Sequence, residues 1–163
     1  MDIRELISEK LICLDFKGNN KEEILNVMGK LISENGRLHN EKYGEKEALK
    51  GFSDSVRERE KIFATAVGFS FAIPHGKCEY VKHSSIAYLR LTNEIKWSED
   101  EKVRHIFMIG VSDENEGEEH LKILIKLSTA ILDDKFRERL DKSETKTQVM
   151  ELMKEYSERE RAV

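Results

Sequence analysis

Two β-prone segments, residues 84–91 and 103–111, lie between stretches that read as amphipathic helices, and this order constrains the fold more than any other feature. Both segments are rich in Ile, Val, Tyr and Phe, side chains that suit a pleated, buried surface. Upstream, Ile24, Val27, Met28, Leu31 and Ile32 recur at i, i+3, i+4, i+7 and i+8, one stripe of a helix. Gly18-Asn19-Asn20 offers its N-cap and Gly36 its stop. A second helix is expected over residues 41–58, with Leu49, Phe52 and Val56 inward, and a short one over residues 2–8. Residues 11–16 read as a strand. Downstream, residues 118–132 carry a broad apolar face that includes Leu121, Leu124, Ile125, Leu127 and Ile131. A shorter helix over residues 134–140 follows. Thr145 and Gln148 have capping-box spacing and open a last helix through Tyr156. Helices, strands and helices in turn predict an α/β fold, a three-layer sandwich with a mixed β-sheet flanked by helices. With no break in composition, one domain is expected over residues 1–156, and the charged stretch 157–163 is expected to fray.

Composition removes several function classes. The chain has 163 residues, the size of one self-sufficient core. Its 28 Lys+Arg nearly balance 32 Asp+Glu, for a net charge of −4, so no global field favours nucleic acid. Cys13 and Cys78 cannot build a disulfide framework and sit in no metal-binding doublet; they read as reduced thiols. The start, Met1-Asp2-Ile3-Arg4-Glu5-Leu6, lacks the basic and apolar regions of a signal peptide. No apolar run approaches the ~20 residues that span a bilayer. A cytoplasmic location is expected.

The candidate chemistry is concentrated in the middle of the chain. Residues 62–67 are short and β-prone, Gly68-Phe69-Ser70 reads as a hairpin turn, and Phe71-Ala72-Ile73 as a strand ended by Pro74-His75-Gly76. A histidine between Pro and Gly sits on a stiffened backbone, with no side chain after it. Alone, that tripeptide is most often an ordinary surface turn. Arg59-Glu60, Thr65 and Gly68 precede it. Asn93-Glu94-Ile95-Lys96-Trp97 reads as an extended connection holding the single Trp, and Glu119-His120-Leu121 opens the downstream helix.

The order and spacing of these motifs resemble the enzyme IIA proteins of the phosphotransferase system, fructose/mannitol type (the type-2 IIA domain). The likeness covers nearly the whole chain. The Arg59-Glu60 pair, the Thr- and Gly-containing stretch, the apolar-Pro-His-Gly motif, the Ile95–Trp97 connection and the second histidine at a helix start agree in order. The resemblance implies a phosphotransferase that works through a phosphohistidine. His75 would be the phosphorylated nucleophile, accepting a phosphoryl group from the phosphocarrier protein HPr and passing it to an enzyme IIB domain during sugar uptake. His120 would stabilise the phosphoryl group at a helix N-terminus. Arg59 would be the electrostatic helper, and Thr65 is a further candidate. No cofactor, metal ion or nucleic acid is implied, nor direct membrane insertion; association with a membrane IIC subunit and the oligomeric state stay open.

Other readings compete. Arg59 lies in a run of charges, where solvated pairs carry little energy. Thr65 has the β propensity of any strand threonine. A zinc site from His75, His120 and Glu118 has no local ligand spacing behind it. The same histidine could serve a regulatory IIA-like protein of the nitrogen type, or a relative that has lost transfer and only binds. Ala66 and Ser70 stand where many family members have Gly, which stiffens the loop before His75. The partner face should be apolar and ring His75, with Phe69, Phe71 and Ile73 near it in sequence. His105, within a strand, reads as a satisfied core or edge histidine.

Overall fold

The computed structural model describes residues 3–114 and 119–159, with the side chains of Glu119 and His120 outside that description. The chain opens with a short helix α1 (Ile3–Leu6) and a 3-10 turn (Glu9–Leu11). Strand β1 (Ile12–Phe16) follows, then helices α2 (Lys21–Glu34), α3 (Asn40–Tyr43) and α4 (Glu45–Ile62). Strands β2 (Ala66–Gly68), β3 (Phe71–Ala72), β4 (His75–Cys78), β5 (Ser85–Lys96) and β6 (Lys102–Ser112) come next. Helices α5 (Glu119–Leu132), α6 (Asp134–Lys142) and α7 (Lys146–Arg159) complete the described residues.

Local chemistry accounts for the helix ends. Asn20 accepts the Glu23 N–H, satisfying one orphan donor of α2. Gly36, at φ +72°, closes that helix with a Schellman pair: its own N–H reaches Ser33 and the Arg37 N–H reaches Ile32. Thr145 Oγ1 accepts the Gln148 N–H at 3.1 Å while the Gln148 side chain accepts the Thr145 N–H at 3.2 Å, a reciprocal capping box.

Several boundaries differ from the sequence reading. The helix expected over 41–58 is two helices, because Gly44 turns the chain at φ +88°. The second of them runs on through Arg59, Glu60 and Ile62, so the β-prone reading of 62–67 holds only from Ala66. Ala48 is buried beside Phe52 and Val56, and Leu49 is only half-buried. The Asn93–Trp97 connection is mostly strand, since β5 runs to Lys96. The last helix continues beyond Tyr156 to Arg159, with Ser157 buried; residues 160–163 of the expected frayed tail lie outside the described residues.

The sheet is mixed, in the order β1-β5-β6-β3-β2, with β4 pairing further along the same edge of β6 as β3. Strand β1 runs parallel to β5, β5 antiparallel to β6, and β3 and β4 parallel to β6. Side chains alternate across the sheet. Gly110 and Leu91 point to the layer of α2–α4, where they meet Phe52 and the neighbourhood of Ile24. Ile86 points to the layer of α1 and α5–α7, where it lines an apolar cavity with Ile3, Leu127, Phe136 and Met153. The inner half of α5 (Ile123, Leu127, Ile131) is core, while Leu121, Ile125 and Leu132 face solvent. Burial pushes the thiols of Cys13 and Cys78 upward, which keeps them protonated and unreactive.

A buried polar cluster ties α6 to the sheet. Arg90 donates to the carbonyls of Leu140 at 3.1 Å and Ser143 at 2.6 Å, and to the Asp15 carboxylate at 3.1 Å. It thereby neutralises the C-terminal end of α6. His105, buried and stacked on Phe71 at 4.4 Å, shares a 2.6 Å hydrogen bond with the Tyr88 hydroxyl through Nδ1, and its Nε2 faces Asp141 at 3.4 Å. It is a satisfied core histidine. Desolvation lowers its pKa to about 4, and Arg104 and Arg90 add to the shift against the opposing pull of Asp141.

The unfolded chain therefore takes up this proton first as pH falls. Stability conferred by neutral His105 is complete above its unfolded pKa of about 6.5 and drains away toward pH 4. Urea unfolding at pH 7 and pH 4.5 should show an acid loss about 2 kcal/mol larger in the wild type than in His105→Gln.

Candidate active site

The site is built where α4 leaves the helical layer and the chain re-enters the sheet. Arg59, in the last turn of α4, donates from Nη1 to the Phe63 carbonyl at 2.7 Å and so caps the helix exit. Next to it Glu60 is buried, 8% exposed. Its carboxylate accepts Lys21 Nζ at 2.7 Å, the Thr65 N–H at 3.2 Å and the Thr65 hydroxyl. Lys21 also donates to the Trp97 carbonyl at 3.4 Å and lies over the Trp97 ring, 4.8 Å from its centroid. The start of α2, the end of α4 and the end of β5 are thereby drawn to one point.

Thr65 passes the constraint on. Its carbonyl accepts the Ile73 N–H at 3.0 Å, closing the base of the β2–β3 hairpin. The Ile73 carbonyl in turn meets His75 Nδ1 at 2.9 Å. A carbonyl only accepts, so Nδ1 carries the proton in this contact, and in the neutral ring the lone pair is on Nε2. Pro74 is trans, and its carbonyl accepts the Ile109 N–H at 2.9 Å. His75 is thus the first residue of β4, opposite Ile109, rather than a loop residue past a strand end. It is half-buried.

Gly76 serves the fold more than the access of its neighbour. It pairs with Gly110 on β6, and both lie under α4. A Cβ at Gly76 would come within 2.8 Å of Ser55 Oγ and 3.2 Å of Val56 Cγ2. By alternation His75 and Lys77 lie on the opposite face, the one on which α5 packs. The first turn of α5 contains His120, whose side chain lies outside the described residues, as does Glu118.

The sequence-expected residues are therefore placed differently from one another. Thr65 turns its hydroxyl to Glu60, and Arg59 holds a backbone carbonyl of its own loop. Of the three apolar residues near His75 in sequence, only Phe69 is exposed; Phe71 and Ile73 are core. Ile62 and Phe63, 79% and 77% exposed, form an apolar knuckle beside Arg59 that the β-prone reading of this segment hid. The pairing of Lys21 with the buried Glu60 was also missed: Glu60 showed as half of a pair, but nothing local marks Lys21, 39 residues away.

Two departures from the family's glycines resolve in opposite ways. Ala66 is an ordinary strand residue paired with Ala72. Phe69 and Ser70 form the two-residue hairpin loop at φ +57° and +72°, the left-handed conformation that such turns demand and that Gly or Asn adopts most easily. Arg137 stacks over the Phe69 ring at 3.9 Å, and the Ser70 hydroxyl donates to Glu94 at 2.7 Å, contacts that offset the strain.

Comparison with known proteins places this geometry. Residues 5–156 match the family described as phosphoenolpyruvate-dependent sugar phosphotransferase system, EIIA 2, and the chain belongs to that family. It is 30% identical over 159 residues to the PTS system fructose-specific EIIA component of Haloferax volcanii, covering 96% of this chain and 97% of that protein. It is 32% identical over 135 residues to multiphosphoryl transfer protein 2 of Escherichia coli, covering 83% of this chain but only 15% of that protein's length. The crystal structure of nitrogen regulatory protein IIA-Ntr from Neisseria meningitidis superposes with a TM-score of 0.79 at 25% identity, covering 93% of this chain and 98% of that one. IIA mannitol from Escherichia coli has the same fold, with a TM-score of 0.72 at 24% identity, covering 90% and 98%. The mixed sheet flanked by helices is thus the IIA fold. Among the described residues no helix is long and apolar enough to cross a membrane.

Two substitutions test this local reading by denaturant unfolding. Ser70→Gly should leave stability within about 1 kcal/mol of the wild type, because relief of the left-handed strain is set against loss of the hydroxyl's bond to Glu94. Gly76→Ala should destabilise it by about 1–3 kcal/mol, because α4 must lift from the strand.

Proposed function

We propose that the chain is a single IIA domain over residues 1–156 that carries a phosphoryl group on His75, accepting it from the phosphocarrier protein HPr and passing it to an enzyme IIB domain of a sugar-uptake system. The observation that carries this reading is the hydrogen bond between His75 Nδ1 and the Ile73 carbonyl, which leaves the Nε2 lone pair as the nucleophile. In the step, Nε2 attacks the phosphorus of the donor's phosphohistidine, the donor N–P bond breaks, and its electron pair returns to the donor imidazole. Onward transfer repeats the exchange with His75 as the leaving group. As the phosphoryl group arrives, the positive charge on the ring is spread against the Ile73 carbonyl, and the negative charge on the phosphoryl oxygens calls for donors. His120, in the first turn of α5, and Arg59, at the end of α4, are the groups we assign to that task. Arg59 would exchange the Phe63 carbonyl for a phosphoryl oxygen. The exposed Ile62, Phe63 and Phe69 suit a partner face that binds briefly and releases. A cytoplasmic location fits this role.

The similarity to the nitrogen regulatory protein supports a second reading, in which the phosphorylation state of His75 is a signal. Incubation with phosphoenolpyruvate, enzyme I and HPr, followed by mass measurement, tests what the two readings share. The wild type should gain one acid-labile phosphoryl group and His75→Ala none. A folded wild type that gains nothing beside an active HPr control overturns both. Rapid onward transfer to a IIB protein then selects transport, and its absence selects signalling.

A further inference from the structure

We infer that Glu60, held by Lys21, is the positioning residue that sets the tautomer of His75, acting through Thr65 and Ile73. This rests on the reading of His75 as the phosphoryl acceptor and names what prepares it. The connection is continuous. The Glu60 carboxylate takes both donors of Thr65, its N–H and its hydroxyl. Thr65, so clamped, presents its carbonyl to the Ile73 N–H at 3.0 Å. Ile73 precedes a proline, which restricts it to extended backbone, so the direction of its carbonyl follows from where its N–H is held. That carbonyl receives His75 Nδ1 at 2.9 Å. A change at Glu60 therefore reaches the ring as a rotation of one peptide carbonyl.

The arrangement makes sense of a buried carboxylate beside an exposed apolar knuckle. A carboxylate 8% exposed persists because Lys21, 2.7 Å away, balances its charge and Thr65 gives it two further donors. Its partners come from α2 and the β2 approach, and Lys21 in turn holds Trp97 at the end of β5. The start of β4 at His75 is thus referenced to three elements of the core, although it lies at the surface. Nucleophiles gain rate when the reacting lone pair is held in one direction before the partner arrives. Lys21 and Glu60 touch neither the imidazole nor a phosphoryl group, so they position and do not catalyse.

The test reads nitrogen resonances of the His75 imidazole in the unphosphorylated protein, where a purely structural role would leave the tautomer unchanged. In the wild type Nδ1 should be the protonated nitrogen and Nε2 the acceptor. Glu60→Gln and Thr65→Val should lose this preference, with the two nitrogen shifts moving toward averaged values and phosphoryl acceptance slowing about tenfold. Thr65→Ser, which keeps the hydroxyl, should restore both. Folded Glu60→Gln and Thr65→Val proteins with the wild-type nitrogen pattern overturn the inference, as does a wild type protonated at Nε2. Should both variants fail to fold, Lys21→Met, at a residue 26% exposed in its side chain, decides by the same reading. Because the nitrogen pattern is measured without any donor, a wild type that holds the tautomer but accepts no phosphoryl group removes the functional reading and leaves the relay standing.

Discussion

The antiparallel ladder between β5 and β6 is the constraint on which the rest of the structure depends. It runs from Ser85 opposite Gly110 to Lys96 opposite Lys102, with one irregularity between Arg90 and Ile95. Every other strand is registered on it directly or at one remove: β1 on β5, β3 and β4 on β6, and β2 through β3. From Ser85 to Leu91 and from His105 to Ser112 its residues are buried on both faces, and a hairpin connected by a few residues closes at little entropic cost. The strands beyond β6 are too short to stand alone; β3 has two residues and β2 three. Their positions are therefore those that β6 leaves open.

That dependence explains how a surface histidine comes to be held firmly. β3 and β4 occupy successive stretches of one edge of β6, with Ile73-Pro74 between them. Pro74 has no N–H to give, but its carbonyl pairs with Ile109, so the break in the edge costs one donor and keeps the register. Gly76 opposite Gly110 lets α4 lie close on one face, which leaves His75 the other face. The same residue types that make a Pro-His-Gly segment look like a loop thus place it in a strand. The candidate nucleophile and the close packing of α4 share this edge and are separated by side-chain alternation.

The opposite end of the sheet is fastened by charge. Arg90 and Arg104 reach from β5 and β6 to the end of α6, with Arg104 bonded to the Leu91 carbonyl and paired with Asp141. His105 and Tyr88 complete the cluster, the phenol kept protonated by burial. Arg90 is the buried charge of the cluster, 4% exposed, and losing the carbonyls and carboxylate that receive it would leave it unpaired. The Arg90 and Arg104 contacts hold α6 where Arg137 meets the hairpin at Phe69.

What the sequence by itself determined are the features whose cause lies within a few residues. Asn20, Gly36 and the Thr145–Gln148 pair mark helix ends because a cap is satisfied by its own neighbours. The periodicity of α2 and the β-branched runs of β5 and β6 declared their elements, and the segment from Arg59 to Gly76, read with Trp97 and His120, declared the family. Within α2, Val27 and Leu31 are only half-buried where Leu25 is core, because periodicity gives a face and the neighbouring element decides its edges. The hairpin geometry at Phe69-Ser70 escaped for a related reason: neither residue favours positive φ, and only the pairing of β2 with β3 imposes it. Tertiary structure alone decided that Glu60 is a buried anchor, that Lys21 is its partner across 39 positions, and that Ile62 and Phe63 are exposed while Phe71 and Ile73 are not. Burial and charge pairing are properties of which surfaces meet, and no local pattern records which surfaces those will be.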